Sequence, residues 1–353
     1  MHKKTITQEP SRKKWWPYLA VLIILGLAVH FLLPQIPTIE KSLAVLKNMI
    51  WWLVALASFA QVMSYVGSGY TLQAILDSRE HPFSIWRGIL ITLASYSVGL
   101  VAGGWVGGAA ATYNWIHKDN SSPESAALAS ILPSLLNNAA LTAVSIIGVI
   151  YLFFIHDLTK LQILGYGLVL VLLTALLLFA IFAIKRPEVI KRYAVKYNQW
   201  WAKLRRRDYQ PEKTIASVER VIDAWKSLDQ GRWVRPAIGA FAGVVFDMIS
   251  LYLIFLAAGY RLNISVLFAG YGLPLMLGKI AFILPGGVGV IESSMVALFE
   301  SLQVPSDVAV ISILGYRLLS FWLPILFGFL AALLLGRNQT IKTTPKDSLS
   351  ASE

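Results

Sequence analysis

The residues of this sequence that could do chemistry are four charged side chains within apolar stretches. They are Asp247, Lys279, Glu292 and Arg317. A charge held in hydrocarbon is costly, so such side chains usually face one another or a water-filled cavity. Glu292 also follows a proline and three glycines in the stretch 284-LPGGVGVIESS-294. This combination predicts a polar site inside a membrane protein.

The stretch around Glu292 predicts a break between two half-helices. Pro285 would end the incoming arm, Gly286, Gly287 and Gly289 would turn the chain, and a new helix would start near residues 288–290. Three interpretations of the Glu292 carboxylate stay open. It could stabilise the positive end of the new helix, form a static salt bridge with Arg317 or Lys279, or contact a polar headgroup or a proton.

The sequence contains no recognisable catalytic motif. It has no cysteine and five scattered histidines, which argues against disulfides and a zinc site. It also lacks G-x-S-x-G, H-E-x-x-H and Walker motifs, and its glycine runs at 103 and 286 follow no predicted strand. We therefore expect no cofactor, no metal and no enzymatic role. The alternative makes Glu292 the general base of an intramembrane enzyme.

Composition indicates that the chain lies in a membrane. Of its 353 residues, 56% are hydrophobic and 14% are charged, whereas a soluble domain has about 25% charged residues. A helix of about 20 apolar residues crosses a bilayer. By that measure the full spans lie at 16–33, 48–70, 126–154, 161–184, 237–258 and 308–335.

Two further apolar regions, 86–116 and 264–302, are too long for one span and contain the glycine clusters 103-GGWVGG-108 and 286-GGVG-289. We interpret each as a re-entrant hairpin with the glycines at its tip; the alternative counts each arm as a full span. The predicted fold class is all-α. It is a polytopic integral membrane protein with about six full transmembrane helices and two glycine-tipped hairpins, roughly eight hydrophobic segments.

Charge predicts the orientation and the division of the chain. Residues 185–235 hold fourteen Lys/Arg against six Asp/Glu, a net charge of +8. Beside apolar spans this indicates a cytoplasmic loop rather than a nucleic-acid surface. We expect a multi-pass protein of the inner (plasma) membrane with both termini cytoplasmic. Its predicted segments are a basic tail at 1–14, a first transmembrane half at 15–184, the basic loop at 185–235, a second half at 236–336 and a flexible tail at 337–353.

The two halves resemble each other. Gly103-Gly104 precedes Pro123 by 20 residues, and Gly286-Gly287 precedes Pro305 by 19 residues. With the topology above, the halves have opposite orientation. They would form an inverted repeat, which places a binding site near the middle of the membrane.

The loop 185–235 predicts two amphipathic helices. The first carries an apolar and aromatic stripe opposite Lys and Arg, and a second stripe runs from Ile215 to Leu228. Such faces suit anionic lipid headgroups; the alternative is a helical hairpin that packs on itself. The stripe of the first helix consists of Ile190, Tyr193, Tyr197, Trp201 and Leu204.

Residues 284–330 resemble the signature of the lysylphosphatidylglycerol synthase transmembrane-region family, which includes the flippase part of bacterial multiple peptide resistance factors. The family pattern has P-G-G-x-G, a Glu soon after, a Pro/Ala step and a Tyr-Arg before the last span. The first half departs from the pattern, since 102-AGGWVGGAAATYNW-115 has no acid or Arg. The matching residues are Pro285, Gly286, Gly287, Gly289, Glu292, Pro305, Tyr316 and Arg317.

The resemblance implies a protein that moves lipid headgroups or lipid-linked substrates between leaflets, alone, as a homo-oligomer or with a partner synthase. We expect no soluble synthase domain after residue 336. The alternatives are an accessory to aminoacyl- or glycosyl-lipid synthesis and an ion-coupled transporter of a small solute. The candidate substrate-binding residues are Asp247, Lys279, Pro285, Gly286, Gly287, Gly289, Glu292, Tyr316, Arg317, Gly103, Gly104 and Asn137.

Overall fold

A computed structural model describes the chain over residues 48–77, 82–102, 104–119, 121–155, 186–204, 233–280 and 287–341, with isolated residues between 160 and 219. The predicted span 16–33, most of 161–184 and the second stripe after Ile215 lie outside the described residues. The described part consists of helices joined by turns and short loops, without a strand. Its helices are α1 (Trp51–Asp77), α2 (Ile85–Val101), α3 (Trp105–Lys118), α4 (Pro123–Ile155), α5 (Pro187–Leu204), α6 (Val234–Ala257), α7 (Ile264–Ile280), α8 (Val290–Ser301), α9 (Ser306–Arg317) and α10 (Leu323–Ile341).

Three helical stretches are long and apolar enough to cross a membrane. They are Pro123–Phe154, Val234–Ala257 and Ser306–Gly336, and two shorter apolar helices lie at Ile85–Val101 and Ile264–Gly278. These three stretches confirm the spans predicted at 126–154, 237–258 and 308–335. The predicted span 48–70 overlaps α1, which begins at Trp51 and ends at Asp77.

Helices α2 and α3 form the first predicted hairpin. The Ser95 and Thr112 hydroxyls bond each other across it at 2.6 Å, and an ion pair between Arg87 and Asp119 joins its two open ends. The turn is narrower than predicted because Gly107 and Gly108 belong to α3. The 14 residues of α3 extend about 21 Å, too short for a hydrocarbon core of about 30 Å. This length favours a hairpin over two full spans.

Helices α7 and α8 form the second hairpin, and α8 begins at Val290 as predicted. Gly287 and Gly289 have φ angles of 65° and 84°, the left-handed region that side chains with a Cβ rarely adopt. A Cβ at Gly287 would also lie 3.0 Å from the Gly278 Cα. Glycine is therefore needed where α8 folds back onto α7.

Helices α1 and α6 cross in close contact and run antiparallel. The Ile50 amide donates to the Ala257 carbonyl at 2.9 Å, while Thr71, at the other end of α1, donates to the Pro236 carbonyl at 3.3 Å. At the crossing, a Cβ on Gly67 would lie 2.7 Å from the Gly243 nitrogen. Small residues of this kind let membrane helices approach closely.

The hairpins pack reciprocally on the long helices of the opposite halves. The Ser97 hydroxyl on α2 donates to the Ile325 carbonyl on α10 at 2.9 Å. Correspondingly, the Thr142 hydroxyl on α4 lies 3.7 Å from the Met276 sulfur on α7. The first arm of each hairpin thus packs on the long helix that follows the other hairpin. The two halves thus make corresponding contacts with each other, beside the antiparallel α1 and α6.

Candidate functional site

Glu292 and Arg317 form a buried ion pair beside the helix break. The Arg317 Nε donates to Glu292 Oε1 at 2.6 Å, and both side chains are buried. The other carboxylate oxygen, Oε2, accepts from the Gly289 amide at 2.7 Å. Glu292 therefore stabilises the start of α8 and pairs with Arg317 at the same time. Two of the three interpretations of the Glu292 carboxylate that the sequence left open, the helix-end contact and the salt bridge with Arg317, are therefore both correct.

Arg317 is held on its other side by an aromatic ring. Its guanidinium carbon lies 4.1 Å from the centre of the Phe321 ring. A π-helical turn, Leu318–Trp322, follows it directly; such wide turns are rare and often mark functional sites. Tyr65 on α1 donates to the Ser320 carbonyl within this turn at 3.2 Å.

One guanidinium nitrogen of Arg317 is left to bind something else. Arg317 Nη2 is buried and has no hydrogen-bond partner among the described residues. Because a buried charged donor without a partner costs more than an ordinary lost hydrogen bond, this nitrogen is a candidate contact for an anion.

Asp247, on α6, contacts side chains from α1, α7 and α9. Its Oδ2 accepts from the Tyr271 hydroxyl at 2.7 Å and from the Tyr316 hydroxyl at 2.8 Å. The Gln61 side chain also hydrogen-bonds this carboxylate. Its Oδ1 is buried and has no hydrogen-bond partner among the described residues. Asp247 Oδ1 is therefore a second candidate contact for a ligand, and it is a hydrogen-bond acceptor.

The two groups form one cluster, which we call the polar cluster. Tyr316 and Arg317 are neighbours on α9, so α9 joins the Asp247 group to the Glu292 group. At the edge, the Tyr96 ring packs edge-on against Phe321 at 6.2 Å, and Tyr96 is 47% exposed. The cluster therefore extends from the interior to the surface of the bundle. It consists of Gln61, Tyr65, Tyr96, Asp247, Tyr271, Glu292, Tyr316, Arg317 and Phe321.

Of the other candidates from the sequence, Gly289 touches the cluster through its amide, which donates to Glu292. Gly104 has a φ of 71° and forms the turn of the first hairpin. Asn137 lies half-buried on α4 and makes no hydrogen bond with the cluster within the described part of the chain. Lys279 ends α7, but its side chain lies outside the described residues, as do Gly103, Pro285 and Gly286.

Sequence reasoning missed five members of the cluster: Gln61, Tyr65, Tyr96, Tyr271 and Phe321. A weak signal existed, since Gln61 is the only Gln, Asn or charged residue in the predicted span 48–70 apart from Asn48 at its edge. The tyrosines give no such signal because tyrosine is expected in membrane proteins as an interfacial residue. Elsewhere the described residues hold no group of three His, Cys, Asp or Glu that could bind a metal ion.

Comparison with known proteins identifies the family. The model of the lysylphosphatidylglycerol synthase TM region matches residues 18–328. The chain belongs to this family. The family match includes α1–α9 and the π-helical turn Leu318–Trp322, and with them every member of the polar cluster. It confirms the resemblance seen in the sequence and shows that the chain is a membrane protein.

Two archaeal relatives are similar to parts of the chain. A UPF0104 membrane protein of Methanocaldococcus jannaschii is 27% identical over 173 residues, which are 47% of this chain and 49% of that protein. A UPF0104 membrane protein of Pyrococcus horikoshii is 24% identical over 243 residues, 65% of this chain and 70% of that protein. The chain thus matches about half the length of the first relative.

Proposed function

We propose that this protein is a lipid translocase that moves lipids with polar or anionic headgroups between the leaflets of the inner (plasma) membrane, with both termini cytoplasmic. The observation that carries the proposal is a set of buried side-chain atoms in the polar cluster without a hydrogen-bond partner among the described residues, namely Arg317 Nη2, Asp247 Oδ1 and Gln61 Oε1. Arg317 Nη2 is a donor and Asp247 Oδ1 an acceptor, and both are buried. A lipid headgroup offers both kinds of partner, a phosphate oxygen and hydroxyl or amino hydrogens.

Arg317 would bind the phosphate, with Glu292 as its positioning residue. Both Glu292 oxygens already accept protein hydrogen bonds, so this carboxylate holds the guanidinium rather than the substrate. The same engagement disfavours Glu292 as the general base of an enzyme. Asp247 would accept from the headgroup, since Tyr271 and Tyr316 occupy only its other oxygen.

Tyr96 supports entry of the headgroup from the side. It is exposed at the bundle surface and packs on Phe321, which in turn stacks on Arg317. A headgroup could reach Arg317 along this edge while the acyl chains stay in the bilayer. A transporter of a soluble molecule would instead need an aqueous vestibule.

The reciprocal packing of the two halves supports a mechanism of alternating access. In inverted repeats the site lies at the interface of the halves, and rocking of one against the other exposes it to each side in turn. The polar cluster meets this requirement, because Tyr65 and Tyr96 come from the first half and Asp247 and Arg317 from the second.

Reconstitution into liposomes tests the proposal. Headgroup-labelled anionic, aminoacylated and zwitterionic lipids are placed in one leaflet, and their arrival in the other is followed with a membrane-impermeant quencher. We expect transfer of at least one class above empty liposomes, with a large loss in Arg317→Lys and none in Ser312→Ala, whose buried hydroxyl has no hydrogen-bond partner among the described residues.

A wild-type rate equal to that of empty liposomes for every lipid would overturn the proposal. Uptake of water-soluble glycerophosphate in the same liposomes, without lipid transfer, would replace it with the solute-transporter alternative.

A further inference from the structure

Two buried acceptor oxygens of the polar cluster belong to side chains that contact each other. They are Asp247 Oδ1 and Gln61 Oε1, and neither has a hydrogen-bond partner among the described residues. The contact is a hydrogen bond from the Gln61 side chain to the Asp247 carboxylate. Gln61 is only 6% exposed, so bulk water does not compensate for the missing donor. Because buried acceptors without a partner are costly, one positively charged group that contacts both oxygens would be stabilising.

The polar cluster has an excess of negative charge. Its side chains include two carboxylates, Asp247 and Glu292, and one guanidinium, Arg317, which sum to a net charge of −1. The guanidinium donates to Glu292 at 2.6 Å, whereas no Lys or Arg in the described ranges forms an ion pair with Asp247. A charge inside a membrane protein usually has a counter-charge. Asp247 is therefore the place in the cluster where a further positive charge would be most stabilising.

The oxygens around Asp247 are of the kind that hard cations bind. Such cations prefer carboxylate, amide and water oxygens, and here Asp247 supplies a carboxylate oxygen and Gln61 an amide oxygen. The Tyr271 and Tyr316 hydroxyls donate to the other carboxylate oxygen at 2.7 and 2.8 Å, and a hydroxyl that donates can still offer a lone pair. A single positive charge would bring the net charge of the cluster to zero. The site therefore suits a monovalent cation better than a divalent one.

We propose that Asp247 and Gln61 bind a monovalent alkali cation, such as Na⁺, while no headgroup occupies the polar cluster. The cation contacts Asp247 Oδ1 and Gln61 Oε1 and balances the charge of the carboxylate. A headgroup that reaches Asp247 Oδ1 displaces the cation, so the two alternate at this oxygen. This alternation rests on the proposed lipid translocation, whereas binding of the cation by itself does not.

Binding of radioactive Na⁺ to the purified full-length protein in detergent tests the proposal without any lipid transfer. Choline chloride keeps the ionic strength constant. Asp247→Asn removes the charge, and Gln61→Leu removes the amide oxygen. Asp307→Asn is the matched control, because it removes the same charge from an exposed carboxylate in the first turn of α9. Size-exclusion chromatography checks that each variant is folded.

We expect saturable Na⁺ binding by the wild type and by Asp307→Asn. Asp247→Asn should abolish it, and Gln61→Leu should weaken it severalfold. Gln61→Glu should bind Na⁺ more tightly than the wild type and should also bind Ca²⁺, because a second carboxylate adds an oxygen ligand with a negative charge. This gain keeps the test decisive if Asp247→Asn does not fold.

Folded wild type without saturable Na⁺ binding would overturn the proposal, and so would undiminished binding by folded Gln61→Leu or unchanged affinity in Gln61→Glu. A melting temperature that depends on pH but not on Na⁺ would also overturn it, because a proton would then take the place of the cation on Asp247. Saturable Na⁺ binding by a protein that transfers no lipid in liposomes would refute the alternation and the translocase but not the cation site.

Discussion

At the scale of single residues, the buried ion pair is the central feature. One carboxylate oxygen of Glu292 accepts a hydrogen bond from the Gly289 amide at the start of α8. The other oxygen accepts from Arg317. The free energy of such a pair depends on both partners being present, since taking two charges out of water is costly and only their mutual attraction offsets it. The pair therefore contributes more to holding the Arg317 guanidinium in place than to the net free energy of unfolding.

Removing one partner of the pair should cost far more than removing both. We expect Glu292→Ala to lower the free energy of unfolding by about 3–5 kcal/mol, because it leaves the Arg317 charge buried and unpaired. Glu292→Met together with Arg317→Met should cost less than the single change. Thermal unfolding in detergent compares the double variant with the single variants Glu292→Met and Arg317→Met, and single effects that simply add up in the double variant would contradict the pair as described.

The sequence predicted the charged members of the cluster because charges stand out in apolar spans. Asp247, Glu292 and Arg317 were recognised in this way, and the break at Gly287 and Gly289 followed from glycine chemistry. Of the partners of Asp247, Tyr316 was named through its match to the family pattern, whereas Tyr271 and Gln61 were not recognised. Tyr271 and Gln61 come from helices far apart in the chain, and only the packing of α1, α6 and α7 brings them to the carboxylate.

At the scale of helices, glycines determine how closely the elements pack. Gly67 on α1 meets Gly243 on α6, and Gly239 lies one turn before Gly243. The sequence analysis did not identify this crossing, because the 239–243 pair looks like any other small residues in an apolar span. The extent of α4, of α6 and of the stretch Ser306–Gly336 was predictable from hydrophobic length alone.

Filling this crossing should separate α1 from α6. A Cβ at Gly67 would lie 2.7 Å from a backbone nitrogen of α6, so Gly67→Ala should destabilise the protein by about 1–3 kcal/mol. Gly336→Ala is the matched control, since nothing lies within 4 Å of its Cβ position. It should be neutral or slightly stabilising, by up to about 1 kcal/mol. Melting temperatures in detergent compare the two, and equal shifts would argue against the close crossing.

At the scale of the whole molecule, the antiparallel α1 and α6 fit the predicted orientation. If α1 enters the cytoplasm and α6 leaves it, the first hairpin opens inside and the loop after α6 lies outside. The sequence predicted this from Lys and Arg alone, and the ion pair between Arg87 and Asp119 joins the two open ends of that hairpin. The reciprocal packing of the hairpins could not be predicted, because it depends on contacts between distant segments.

Labelling of single cysteines checks this orientation. We expect Arg261→Cys to react with a membrane-impermeant maleimide added to intact cells. Lys118→Cys, at the end of α3, should react only after the membrane is permeabilised. Reaction of position 118 from outside would show that the first hairpin opens on the opposite side and would remove the basis for an inverted repeat.

The central claim is that the unsatisfied oxygen of Asp247 receives a lipid headgroup, and the initial rate of lipid transfer between leaflets tests it most directly. Asp247→Asn keeps the shape of the side chain and removes its charge, whereas Ser250→Ala, three residues along α6, removes a buried hydroxyl without a hydrogen-bond partner in the described part of the chain. We predict a fall of about tenfold or more for Asp247→Asn, which corresponds to about 1.4 kcal/mol of lost transition-state stabilisation, and an unchanged rate for Ser250→Ala. Wild-type transfer by folded Asp247→Asn would contradict the account.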